Sequence, residues 1–167
     1  MATRVALNTI KDNLKTLFNN ANTTTASPID LSSNLTRRVQ KVLSVHPEFI
    51  PIQASHYPCV TCYIADKSLP SDDIAKDQLN AKRRADISID IVGAVFNQNV
   101  LDVTKDPADE DINYLMENVE LVLRSDPNLS NAVLYQRPTA CQYYSTIIGS
   151  TVHLRIGILK VQASLFY

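Results

Sequence analysis

Glycine is scarce in this chain, with three residues in 167 against eight prolines. That excludes a Gly-rich loop able to cradle phosphates and leaves few flexible hinges. Tryptophan is absent and cysteine occurs only three times. An odd cysteine count with no apolar secretion leader argues for reduced thiols in a cytoplasmic setting, so the sequons at Asn22, Asn34 and Asn128 carry no glycosylation meaning. No apolar run reaches the roughly 18 residues of a transmembrane helix, and Met1-Ala2-Thr3-Arg4 leads into an amphipathic pattern. A surplus of one charge is also missing. The net charge is −1, which gives the whole chain no pull on nucleic acid or membrane. The halves differ, however: residues 1–84 carry 11 Lys+Arg against 7 Asp+Glu, and residues 85–167 carry 5 against 10. Opposite-signed surfaces suit head-to-tail self-association, with a chance split as the competing reading.

What the chain does have is alternation. Val152, Leu154, Ile156 and Ile158 alternate with His153 and Arg155; Leu159, Val161, Ala163, Leu165 and Tyr167 then alternate in the opposite phase. Period two puts each set on one face of a strand, and the flip beside Gly157 predicts a bulge or bend. The cleanest alternation starts at Ala85: Ala85, Ile87, Ile89, Ile91, Gly93 and Val95 share a face opposite Arg84, Asp86, Ser88 and Asp90. Val92, Ala94 and Phe96 make the far end apolar on both sides. This strand, at about 82–96, and the C-terminal one are the pair expected at the sheet centre.

Helical spacing appears twice. Ala6, Leu7, Ile10, Leu14, Leu17 and Phe18 predict an amphipathic helix from about Thr3, a plausible N-cap, to Asn20. Asp106 and Pro107 open a second helix, with Asp109, Glu110 and Asp111 suited to its positive dipole end. Its buried stripe is Ile112, Leu115, Met116, Val119, Val122 and Leu123, and Pro127 prevents continuation. Between the helices, 37–45 reads as a strand with Val39, Lys41, Leu43 and Val45 on one side, and Cys59–Ile64 as a short one. Residues 133–148 are β-rich, with Pro138 marking an edge or bulge. Long polar loops are expected at about 21–35 and 66–82, the first poor in anything that could pack. The whole reads as one α+β domain over 1–167: a largely antiparallel, mixed sheet of four or five strands with two helices on one face.

No catalytic motif emerges. Cys59 and Cys62 form a CxxC, but on a β-like run, where residues three apart point to opposite faces; buried core thiols are the simpler reading. With only Cys141 and His56 as further candidates, the paired clusters of a zinc site are missing. His46, His56 and His153 are scattered, and nothing flanks a Cys141–His153 pair like a nucleophile site. Lys82-Arg83-Arg84 lacks the aromatic neighbours of a nucleic-acid groove.

The second half of the chain resembles the tail terminator proteins of tailed bacteriophages, also called tail completion or tail-to-head joining proteins, of the lambda type. The likeness is one of ordered elements: the alternating strand Arg84–Ile91, a polar loop, the helix Ile112–Leu123, the phrase Asp126-Pro127-Asn128-Leu129, a strand with Arg137-Pro138, and a long last strand from Leu154 to Tyr167. It covers about residues 82–167, and 1–20 more loosely; residues 21–80 are longer than the minimal pattern. The resemblance implies a non-enzymatic virion protein without cofactor or metal, assembled in the host cytoplasm. Such proteins form a ring, typically a homohexamer, on the completed tail tube. The ring ends tube polymerisation and joins the tail to the neck or connector of the head. Its expected partners are its own copies, the tail tube protein, the neck or connector protein and, as an optional neighbour, a sheath protein. Viral DNA passes through the lumen without sequence-specific binding. A ring needs two complementary surfaces per subunit. The residues expected to contribute are a basic patch (Arg37, Arg38, Lys82, Arg83, Arg84) and the acidic helix start (Asp106, Asp109, Glu110, Asp111). The alternatives are another neck, connector or contractile-tail part, and a small cytoplasmic thiol or metal protein using Cys59 and Cys62.

Overall fold

The computed structural model describes residues 7–23, 29–46, 53–68, 84–98, 107–148 and 152–166. Along them run α1 (Leu7–Ala21), β1 (Lys41–Leu43), β2 (Cys59–Ser68), β3 (Arg84–Gln98), α2 (Pro107–Ser125), β4 (Tyr135–Ile148) and β5 (Val152–Phe166). The five strands form one mixed sheet in the order β1-β2-β3-β5-β4. Only β1 and β2 are parallel; the other neighbours are antiparallel. Both helices pack on the same face, α1 over β1 and β2 and α2 over β3, β5 and β4, giving the α+β fold expected. The anticipated caps Thr3 and Asp106 lie outside the described residues.

The β3–β5 pair at the centre follows directly from the alternation. Ala85, Ile87, Ile89, Ile91 and Val95 of β3 lie under the helices with Leu159, Val161, Ala163 and Leu165 of β5. Ile10, Leu14, Phe18 and Ala21 of α1, and Ile112, Leu115, Met116, Val119, Val122 and Leu123 of α2, close that core from above. Burying each of these large side chains contributes roughly 1.5–3 kcal/mol before entropy is counted.

The bulge expected near Gly157 is not there. β3 and β5 pair without a break from Arg84↔Phe166 to Gln98↔Val152. The apolar phase flips for another reason: before Gly157 the opposite face of the sheet is the covered one. There Leu154 packs with Tyr57, Cys59 and Ala94, flanked by Phe96 and Ile156, and the Tyr57 and Phe96 rings stack at 5.6 Å. Gly157 sits opposite Gly93, and Met116 fills the space above both. A Cβ on Gly93 would lie 2.7 Å from the Met116 Sδ, and one on Gly157 2.8 Å from the same atom. Two of the three glycines are therefore placed by packing rather than by a turn.

Three other expectations need correction. The strand over 37–45 shrinks to Lys41–Leu43, and the buried residues are Val39 and Val42, not one alternating face. The chain before β1 is held irregularly, with the Val39 N–H donating to Ser32 Oγ and the Gln40 N–H to the Pro58 carbonyl, at 3.0 and 2.7 Å. β2 runs on past Ile64 to Ser68, through a bulge between Ile64 and Asp66, because β3 offers a pairing edge that long. The loop after α1 is not idle either. Leu31 is fully buried, and Asn118 of α2 donates to the Leu31 and Ser33 carbonyls at 3.1 and 2.8 Å. Pro138, by contrast, marks both an edge and a bulge: β4 is the sheet's outer strand, and its register with β5 shifts between Pro138 and Ala140.

The Met116 seat makes a quantitative prediction. Gly157→Ala should lower stability in urea unfolding by roughly 1–3 kcal/mol through overpacking, and Met116→Ala by about 2–5 kcal/mol through the cavity it leaves. The double variant should lose clearly less than the sum, because removing the Met116 side chain makes room for the new methyl group. Additive losses would show that the two do not share this space.

Candidate assembly surface

The cysteines are separated by the sheet. Cys62 lies in the core beneath α1 and Cys59 in the smaller cluster on the opposite face. Burial pushes both thiols up to about 12, and the sheet between them keeps the two from acting together on one metal or one disulfide. Cys141 is exposed on β4. The hairpin sets Ile147, not Cys141, opposite His153, which leaves this Cys and His six residues or roughly 20 Å apart along the strand. His46 packs against Tyr63 with ring centroids 4.5 Å apart and the planes tilted by 57°. Among the described residues no group of three His, Cys, Asp or Glu is placed to hold a metal ion.

The charged residues expected to form interfaces are dispersed. Lys82, Arg83 and Asp106 lie outside the described residues. Arg84 opens β3 at one end of the sheet, where it donates to Tyr135 Oη and Ser164 Oγ at 3.3 and 3.2 Å and faces Asp86 at 3.4 Å. Arg37 and Arg38 precede β1, which aligns through Cys59 with Ala94. That is ten residues along β3 from Arg84, roughly 33 Å away, so the cations do not make one patch. Arg38 is held within the chain, 3.6 Å from Asp30 and hydrogen-bonded to the Asn22 carbonyl. Arg37 instead stands beside the α2 start, in a cleft shared with Thr36, Pro58, Phe96, Pro107 and Asp111. Asp111 is not a surface acid: it is buried, and its Oδ1 accepts from the Thr36 N–H and hydroxyl at 2.9 and 3.0 Å. Asp109 and Glu110 are exposed in the first turn, Asp109 lying 3.7 Å from Arg155.

The prominent surface lies elsewhere. Among the described residues, large exposed apolar side chains concentrate on β4 and its lead-in, at Leu134, Tyr135, Tyr143 and Tyr144, with Tyr114 and Leu121 of α2 and Val45 exposed elsewhere. From Thr139 to Thr146 every β4 residue is exposed, whichever face it points to. Tyr143 opposes Gly157 on the helix side, and Tyr144 opposes Ile156 on the other; they are 50 % and 52 % exposed. The Tyr143 phenol is raised above its usual range by desolvation, then by its hydrogen bond with Cys141 and by the nearby carboxylates Glu117 and Glu120. Tyr143 thus stands near two carboxylates of α2, one of them, Glu120, paired with Arg124. The signal was present in the sequence: Tyr114 and Leu121 fall outside the buried stripe of α2, and consecutive tyrosines on a strand must face opposite ways.

Comparison with protein-family models and with curated proteins finds no match for this chain.

The thiol geometry is directly testable. In the native protein at about pH 8, alkylation should modify Cys141 first, and slowly for an exposed thiol because its pKa is also raised. Cys59 and Cys62 should react only after unfolding, as mass spectrometry of digests would show. Fast native labelling of either would contradict their burial.

Proposed function

We propose that this protein is a structural subunit of the tail-terminator kind, which self-associates into a ring that ends a phage tail tube and presents a surface to the neck. The observation that carries the reading is the β4 border of the sheet: an edge strand of 14 residues, exposed on both faces along half its length and set with tyrosines. Tyrosine is enriched at protein interfaces, and a long uncovered edge is what a monomer normally blunts. The element order supports the same reading: helix, three strands, helix and closing hairpin follow the sequence pattern that resembles the family. The cysteine placement works against the thiol or metal alternative, since Cys59 and Cys62 lie buried on opposite faces of the sheet.

The test is native mass over a range of protein and salt concentrations, with particle images, followed by addition to polymerising tail tube subunits. A closed ring, sixfold in the expected case, that halts tube growth is the predicted result. A chain that stays monomeric throughout and leaves tube length unchanged would overturn the proposal.

A further inference from the structure

The face of the sheet turned away from the helices is polar at one end. Asp86 and Ser88 of β3 alternate with the core residues Ala85, Ile87 and Ile89, and so point to the helix-free side. Register carries these positions across the sheet. Ser68, Asp86, Ser164 and Tyr135 stand side by side on β2, β3, β5 and β4, and the next row runs from Ser88 through Gln162 to Arg137. Between these side chains lies a cleft of about 300 Å³. That volume is at the small end of those that hold a ligand, and walls this polar suit a hydrophilic one.

The two walls differ in what they still lack. On the β3 side Asp86 is already compensated: its Oδ1 accepts from the Ser164 hydroxyl and faces the Arg84 guanidinium at 3.4 Å. Arg84 also donates to Tyr135 Oη and Ser164 Oγ, and Ser164 is almost fully buried, so this wall is braced by its own hydrogen bonds. No bond reaches Asp86 Oδ2 among the described residues, and with the charge balanced it calls for a neutral donor. On the β4 side Arg137 is exposed, and its guanidinium has no ion pair or hydrogen bond among the described residues. It calls for an oxyanion, which its planar fork can hold by two parallel bonds. Between the walls, the Ser88 hydroxyl and the Gln162 amide offer neutral donors and acceptors.

We propose that this cleft binds an acidic saccharide, a sugar ring bearing one carboxylate or phosphate, with the oxyanion on Arg137 and ring hydroxyls on Asp86, Ser88 and Gln162. The site goes beyond the ring reading and does not rest on it. Asp86 and Arg137 are two strands apart, roughly 10 Å between backbones, and their side chains narrow that span to the scale of one substituted ring. A bare oxyanion on Arg137 would leave Asp86 Oδ2 without a donor. A compact cation would meet Arg84 and Arg137. An apolar ligand would strip water from every wall and return no hydrogen bond. A hydroxylated ring replaces those bonds, because each hydroxyl both donates and accepts.

The experiment is equilibrium dialysis with saturation-transfer NMR on the full chain, which reads binding in any assembly state. The probes are glucuronate, galacturonate, glucose 6-phosphate, glucose, inorganic phosphate and lysine. At least one of the three acidic sugars should bind, with glucose and inorganic phosphate each weaker by roughly tenfold or more, since each lacks part of the contacts. A uronate preference and a phosphate preference both support the site and differ in the oxyanion it takes. Arg137→Gln, an exposed change, should bring the acidic sugars down to the level of glucose. Ser88→Ala/Gln162→Ala should bring them toward the level of inorganic phosphate, with circular dichroism melting to check folding. Three outcomes overturn the site: no binding by any acidic sugar, unchanged binding in Arg137→Gln, or lysine binding more tightly than the sugars.

Discussion

The Met116 side chain occupies the place where two Cβ atoms would be, and much of the molecule depends on that seat. Gly93 and Gly157 face each other across the central strand pair, and the thioether lies over both. A register slip of one residue would turn the isoleucines and valines of β5 to the wrong face and bring a branched side chain beneath Met116. The seat therefore fixes the register of the long β3–β5 pair and the height of α2 above it. From α2 the constraint passes outward. Asp111 and Asn118, buried on the same helix, hold Thr36 and the Leu31–Ser33 backbone. Ser32 in turn accepts from the Val39 N–H, just before β1. At the other end of α2, Gln136 donates to the Leu123 carbonyl at 2.7 Å and ties the start of β4 to the helix terminus. Burying Asp111 and Asn118 is tolerable because their polar atoms find backbone and hydroxyl partners.

This arrangement explains which parts of the fold were legible in the sequence. Period two along β3 and period 3.6 along α2 report a face buried over its whole length, and both elements came out as read. β5 was legible as a strand but not as a straight one. Alternation tells which side chains are apolar; it does not tell whether the backbone bends or the opposite face gains its own cover. Here Tyr57 and Cys59 supply that cover from a distant part of the chain. The segment after α1 misled for a related reason. Its Ser, Asn and Thr content is that of a loop, yet one leucine in it, Leu31, reaches the core, and the polar residues around it serve as hydrogen-bond partners rather than as solvent contacts. β1 is too short for any periodic signal, and its place is set by the strap that precedes it.

The candidate surface was not legible in the charge runs. The residues that looked most clustered in charge do not come together in the fold. Arg37 and Arg84 are separated by most of the length of β3, and Asp111, part of an acidic run in the sequence, is consumed inside the molecule. Lys15 and Lys41, far apart in sequence, lie on elements that topology brings together, α1 and β1. Charge runs describe a stretch of chain, whereas an interface is chosen by which elements lie at the borders of the sheet.

The β4 edge shows why such a border calls for a partner. Edge strands are usually protected by charge, by proline, by a bulge or by shortness. β4 uses the first three devices at one end only: Arg137, Pro138 and the shift before Ala140 lie together, next to Lys160 of β5. From Ala140 to Thr146 the strand carries no charge, no proline and no break in pairing, while it exposes two tyrosines and a thiol. A segment of that length and composition is an aggregation hazard if left open and an asset if a specific surface covers it. The protected end works as negative selection against indiscriminate strand addition, and the unprotected end remains for one partner. Glu117 and Glu120 of α2 lie near Tyr143, so charge as well as shape bears on what can cover that end.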